Sequence, residues 1–101
     1  MIKKEQRQAW RSPLLLDVTY EGAGAQAETR ISDISVTGVY IEMVSPVPVG
    51  SNLKLSFTLP DGYAVHTEGV VVHSQPHTGI GVEFTALKRE DARRIRQFIR
   101  A

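Results

Sequence analysis

Apolar and polar residues alternate along most of this 101-residue chain, and the period changes once, after Phe84. Leu14, Leu16, Val18 and Tyr20 repeat at every second position, as do Leu53, Leu55, Phe57 and Leu59, with polar residues between most of them. Side chains of a strand point alternately to opposite faces, so this period marks antiparallel strands with one face buried. The same reading gives further strands at about 25–34, 38–44, 64–74 and 79–84. Turn signals separate them at Gly22-Ala23-Gly24, from Pro46 to Gly50, and at Pro60-Asp61-Gly62, the clearest hairpin signal of the three. Short, closely spaced strands joined by such turns predict a mainly β fold, a closed barrel or a sandwich.

Beyond Phe84 the period becomes helical. From Lys88 to Arg100, Ala92, Ile95, Phe98 and Ile99 fall on one stripe at i, i+3, i+6 and i+7, suited to covering the sheet. Glu90 precedes Arg94 by four residues, a favourable acid-to-base order, and acids early with arginines late complement the helix dipole. Arg93, Arg94, Arg96 and Arg100 are expected on the solvated outer face. Residues 1–9 carry few apolar groups, Ile2 and Ala9 among them, and are expected to be loose until a ligand arrives. The chain contains no internal repeat or low-complexity segment.

Composition narrows the function classes. The length suits one domain with one core. With no cysteine, disulfides and thiolate metal sites are excluded. No apolar run approaches the ~20 residues of a membrane helix, and Met1-Ile2-Lys3-Lys4-Glu5-Gln6-Arg7 lacks a signal-peptide core, so a cytoplasmic protein is expected. The net charge of +1 conceals an uneven distribution. Lys3, Lys4, Arg7 and Arg11 face only Glu5 in residues 1–11, and six basic residues face two acids in residues 88–101. Between these ends, Arg30 and Lys54 are outnumbered by eight acids. Basic ends on an acidic body fit a small anionic ligand better than a long nucleic-acid track, and the strands lack the aromatic ladder that stacks single-stranded bases. His66, His73 and His77 have no acid or cysteine at metal-ligand spacing and read as surface histidines. No nucleophile-base set, paired carboxylates or phosphate-cradling glycine loop occurs, so no catalysis is expected.

Two spacings carry chemistry: Arg7-x-x-x-Arg11 and, after 21 intervening residues, Asp33-x-Ser35-x-x-Gly38. A guanine base offers acceptors O6 and N7 on one edge, which a forked guanidinium matches. Its other edge offers N1–H and N2–H2 donors, which call for a carboxylate or hydroxyl such as Asp33 or Ser35. Arginine also pairs with phosphate and stacks on a purine face. Gly38, without a Cβ, lets backbone approach a ligand closely or take a positive φ. Trp10, between the arginines, is read as an anchor of the N-terminal segment on the barrel.

In this order and at this separation the motifs resemble the PilZ domain, the bacterial receptor module for cyclic di-GMP. Gly79-Ile80-Gly81-Val82-Glu83-Phe84 looks like the closing strand of that family, and Lys88 to Arg100 like its C-terminal helix. The resemblance implies a six-stranded antiparallel β-barrel with a C-terminal α-helix. It divides the chain into a ligand-binding segment at 1–12, a barrel at 13–85 and a helix at 87–100. It further implies a non-enzymatic receptor that needs no cofactor and holds cyclic di-GMP through Arg7, Arg11, Asp33, Ser35 and Gly38. With no output domain in view, the signal would leave through contact with a partner protein. The rival within the family is a ligand-independent protein–protein adaptor. Gln6 precedes the first arginine, at a position that bears on ligand number in this family.

Overall fold

The structure, a computed structural model, describes residues 16–100. Arg7, Trp10, Arg11 and the proposed 1–12 segment lie outside the described residues. Six antiparallel strands, β1 (Leu16–Gly22), β2 (Ala25–Ile34), β3 (Gly38–Glu42), β4 (Asn52–Thr58), β5 (Ala64–Gln75) and β6 (Gly79–Phe84), close into a barrel in the order β1-β2-β3-β6-β5-β4. Helix α1 (Arg89–Arg100) follows. The expected six-stranded barrel with a C-terminal helix is the observed fold.

Two three-stranded meanders, β1-β2-β3 and β4-β5-β6, make up this ring, and they join at two seams, β1 with β4 and β3 with β6. Tight turns serve each meander. Ala23 and Gly24 both have positive φ (54° and 77°), the signature of a two-residue type I′ hairpin turn whose twist matches the strands. Pro60-Asp61-Gly62 forms the expected hairpin loop: the Gly62 amide donates to the Leu59 carbonyl at 2.8 Å, and the Asp61 carboxylate accepts from the Tyr63 amide at 3.1 Å.

The connection between meanders has a harder task. β3 and β4 stand opposite each other in the ring, so residues 43–51 must cross the barrel mouth. They drop Val47 into the core on the way. Sequence reading put only a turn there. It also extended β3 to residue 44, whereas the strand ends at Glu42. Met43 still donates to Thr78, and the Val44 carbonyl accepts from His77, but the chain is already turning toward Pro46, and Val44 is exposed.

Helix α1 closes the opposite mouth with fully buried Ile95, while Phe98 and Ile99 pack at its edge. Of the expected stripe only Ile95 is fully buried; Ala92, Phe98 and Ile99 are half-buried, and Asp91 is buried although the stripe did not include it. Asp91 is there because the Tyr63 hydroxyl donates to it at 2.6 Å, tying the β4–β5 hairpin to the helix. Arg94 completes this latch. Its guanidinium stands 4.5 Å from the Tyr63 ring centroid and 3.7 Å from the Asp61 carboxylate. It therefore does not belong to the solvated face on which the sequence reading put it. The hydrogen bond to Asp91 raises the Tyr63 phenol above its ordinary value of 10.0, so the stabilisation is complete below pH 10 and is lost as pH rises through the elevated value. Glu90 accepts from Arg93 and Arg94, which pull its carboxyl from 4.5 to about 2. Its contribution is present above pH 4.5 and is lost as pH falls toward about 2.

Two stability measurements test this packing. Ile95→Ala should cost about 2–5 kcal/mol in denaturant unfolding, because the cork of one mouth is truncated at a fully buried site, and Phe98→Ala should cost less. Thr67 faces the barrel interior with its hydroxyl buried and unpaired among the described residues. Thr67→Val should therefore stabilise the fold by about 1 kcal/mol, and an unchanged or lower midpoint would show that the hydroxyl has a partner.

Candidate functional site

The motif around Asp33 sits where strict alternation breaks. Ile31 pairs with Ile41 and Asp33 with Tyr40, so Ser32 is the extra residue of a β-bulge between them. The bulge resets the alternation. Ile31 and Ile34, three residues apart, both point into the core. Asp33, which an unbroken period of two from Ile31 would turn inward, stands half-exposed on the outer wall.

Beyond Ile34 the chain makes a compact turn. The Ser35 amide donates to the Gly38 carbonyl at 2.9 Å. The Ser35 hydroxyl accepts from the Thr37 amide at 3.1 Å and lies 2.9 Å from the Thr37 hydroxyl. Serine is suited to this place because its short side chain can bond backbone two residues on. The turn is pinned from outside as well, since the Phe84 amide donates to the Thr37 carbonyl at 2.9 Å.

Gly38 opens β3 opposite Glu83 of β6. A Cβ here would collide with the Val82 carbonyl oxygen and stand 3.2 Å from the Glu83 Cα. The sequence allowed this glycine a positive φ or a close approach of backbone to ligand; its φ is not positive, and the close approach present is one between strands.

Asp33, Ser35 and Gly38 come together on one groove of about 480 Å³, with Tyr40, Val72 and Glu83 among its other walls. Three features of this groove escaped sequence reading. Tyr40 and Glu83 are outward members of ordinary alternating strands, and nothing in their spacing distinguishes them. Val72 lies in the run Val70-Val71-Val72, where no alternation is visible. A second bulge, between Val71 and His73 opposite β6, leaves it 52% exposed beside the groove. Gly81, between Tyr40 and His73 in the cross-strand row, keeps the floor low. The groove thus combines carboxylates, hydroxyls, an aromatic side chain and one exposed aliphatic wall.

The topology sets where this groove lies. β1 begins, β2 ends, β3 begins and β6 ends at the mouth that α1 closes. The chain therefore enters the barrel at Leu16, on the same side as the Ser35–Gly38 turn. Two of the histidines lie elsewhere in roles of their own: His66 bonds to Ser56 at 3.0 Å, and His77 occupies the β5–β6 turn with φ 64°. Among the described residues, no three His, Cys, Asp or Glu side chains gather as a metal site would require. No described helix is long and apolar enough to cross a membrane.

Comparison with known proteins points the same way. No curated protein matches the chain. Among solved structures, the crystal structure of the PilZ domain of CeSA from a cellulose-synthesizing bacterium superposes with a TM-score of 0.65. The two are 15% identical, with 87% of this chain and 92% of that one covered, a likeness of fold. The family model described as the PilZ domain matches residues 5–101, so the chain belongs to the PilZ domain family, a family of cyclic di-GMP receptor domains rather than enzymes.

Proposed function

We propose that this protein is a cyclic di-GMP receptor that holds the dinucleotide between the groove of Asp33, Ser35 and Gly38 and the arginines Arg7 and Arg11. The observation that carries this reading is the convergence of the three motif residues on one groove, at the barrel mouth where the chain enters. Leu16 is five positions beyond Arg11, a reach of at most about 18 Å, so chain length permits Arg11 to meet a ligand in the groove. The groove volume falls within the range of small-molecule sites, roughly 300–1,000 Å³.

The chemistry divides by edge and charge. Asp33 accepts from the N1–H and N2–H2 donors of guanine, and the arginine forks take O6, N7 and the phosphates. A dianionic ligand beside Asp33 and Glu83 needs cations between, and Arg7 and Arg11 supply them. Closing of the N-terminal segment over the ligand makes contacts absent from the open state, so binding shifts the population toward the closed form. A partner protein then reads the altered surface.

Calorimetry tests the reading directly. The protein should bind cyclic di-GMP in preference to cyclic di-AMP, GTP and GMP, because adenine turns an N6 donor toward the fork that guanine meets with O6. Equal binding of cyclic di-AMP, or no heat with cyclic di-GMP at high micromolar concentration, would overturn it and leave the adaptor role.

Variants separate ligand contacts from scaffold. Arg7→Ala or Arg11→Ala should weaken cyclic di-GMP binding by about 2–4 kcal/mol with the thermal midpoint unchanged. Gly38→Ala should lower the midpoint along with affinity, because its Cβ meets the Val82 carbonyl. A Gly38→Ala protein with normal melting and lost binding would move this glycine from the scaffold to the ligand.

A further inference from the structure

Helix α1 turns a single-sign face to solvent. Arg89, Arg93, Arg96 and Arg100 recur at i, i+4, i+7 and i+11, and all four are exposed. At 3.6 residues per turn they share an arc of roughly 60° and extend about 16 Å along the axis. Arg94, one position away from Arg93, is drawn into the Tyr63 latch instead. Arg93 is bonded to Glu90, while Arg89, Arg96 and Arg100 have no ion-pair partner among the described residues.

Helix stability does not account for this row. A cation near the C-terminal end, such as Arg100, suits the dipole, but Arg89 opens the helix, where a positive charge is disfavoured. All four members are arginine, whose rigid fork matches planar carboxylates, whereas lysine would serve a merely solvated face as well. Among the described residues, the large exposed apolar side chains, Val44, Val49 and Val72, all lie on the barrel and its loops, so no apolar group on the outer helix face would insert into a lipid surface.

We propose that this arginine row is a docking surface for an acidic segment of a partner protein, with carboxylates spaced along about 16 Å. Charge decides between anionic partners. The barrel between the two basic ends carries eight acids against Arg30 and Lys54. An extended polyanion, whether a membrane plane or a nucleic-acid duplex, would be repelled by that body within a Debye length of roughly 8–10 Å. A short acidic segment lying on the helix meets only the row. The surface supplies the partner contact that the proposed receptor role needs, and its binding is read without cyclic di-GMP, so either proposal can fail alone.

The probe is a synthetic helical peptide with glutamates at i, i+4, i+7 and i+11, set against a scrambled peptide of equal composition and followed by fluorescence anisotropy. The in-register peptide should bind better, and affinity should fall as salt rises. R96E/R100E should weaken it at least tenfold. R30E/K54E, which changes net charge equally but on the barrel wall, should leave it within about twofold. Should R96E/R100E melt early, R96Q/R100Q supplies the same comparison. Equal binding of the scrambled peptide, equal losses in the two double variants, or tighter binding to phosphatidylglycerol vesicles or duplex DNA than to the peptide would each overturn the proposal.

Discussion

The seam between β3 and β6 is the constraint on which the rest of the structure depends. Each meander can form from local hairpins, but the ring closes only where distant strands meet. β3 and β6 are joined by five cross-strand pairs from Gly38↔Glu83 to Glu42↔Gly79. At each end of the ladder stands a glycine whose Cβ would strike the carbonyl of the facing strand, Val82 for Gly38 and Ile41 for Gly79. A sheet bent tightly enough to close in six strands brings backbones together at such points, and only a residue without a side chain fits there.

The candidate site is built from the same constraint. It lies on the β3–β6 seam, flanked by bulges at Ser32 and at Val72 in the neighbouring strands. Each bulge adds one residue on the curved outer side and turns a side chain away from the core. The barrel gains its curvature, and the groove gains an outward Asp33 and an exposed Val72. The motif residues therefore serve fold and site together: Ser35 shapes the turn with its hydroxyl, and Gly38 permits the seam to close.

Both mouths are corked, and the two corks differ in kind. Val47 closes one on a loop that is compelled to cross it, and Ile95 closes the other on a helix held by the Tyr63–Asp91 hydrogen bond. The helix mouth is also where the chain enters, where the Ser35–Gly38 turn sits, and where Thr37 receives the Phe84 amide just before the link to α1. A ligand held at that turn is one hydrogen bond from the strand end that leads into the arginine-bearing helix. The proposed input and output surfaces thus share one end of the barrel.

The sequence by itself determined the approximate strands, the hairpin turns, the helix and most of the inward strand residues, because these depend on periods of two and 3.6 that a chain carries locally. Leu16, Val18 and Tyr20, or Leu53, Leu55 and Phe57, are buried as their alternation predicts. The motif residues Asp33, Ser35 and Gly38 were legible as a chemical set, although their spacing alone did not reveal the bulge that turns Asp33 outward. Only the tertiary structure decided that β3 stands opposite β4, so that Val47 must plug a mouth, and that Arg94 and Asp91 belong to a latch with Tyr63. It also decided that Tyr40, Val72 and Glu83, from three strands, wall one groove with the motif. Pairings across a closed ring join residues far apart in the chain, and no local period records them. They follow from how the two meanders bury their inner faces against each other in the closed ring.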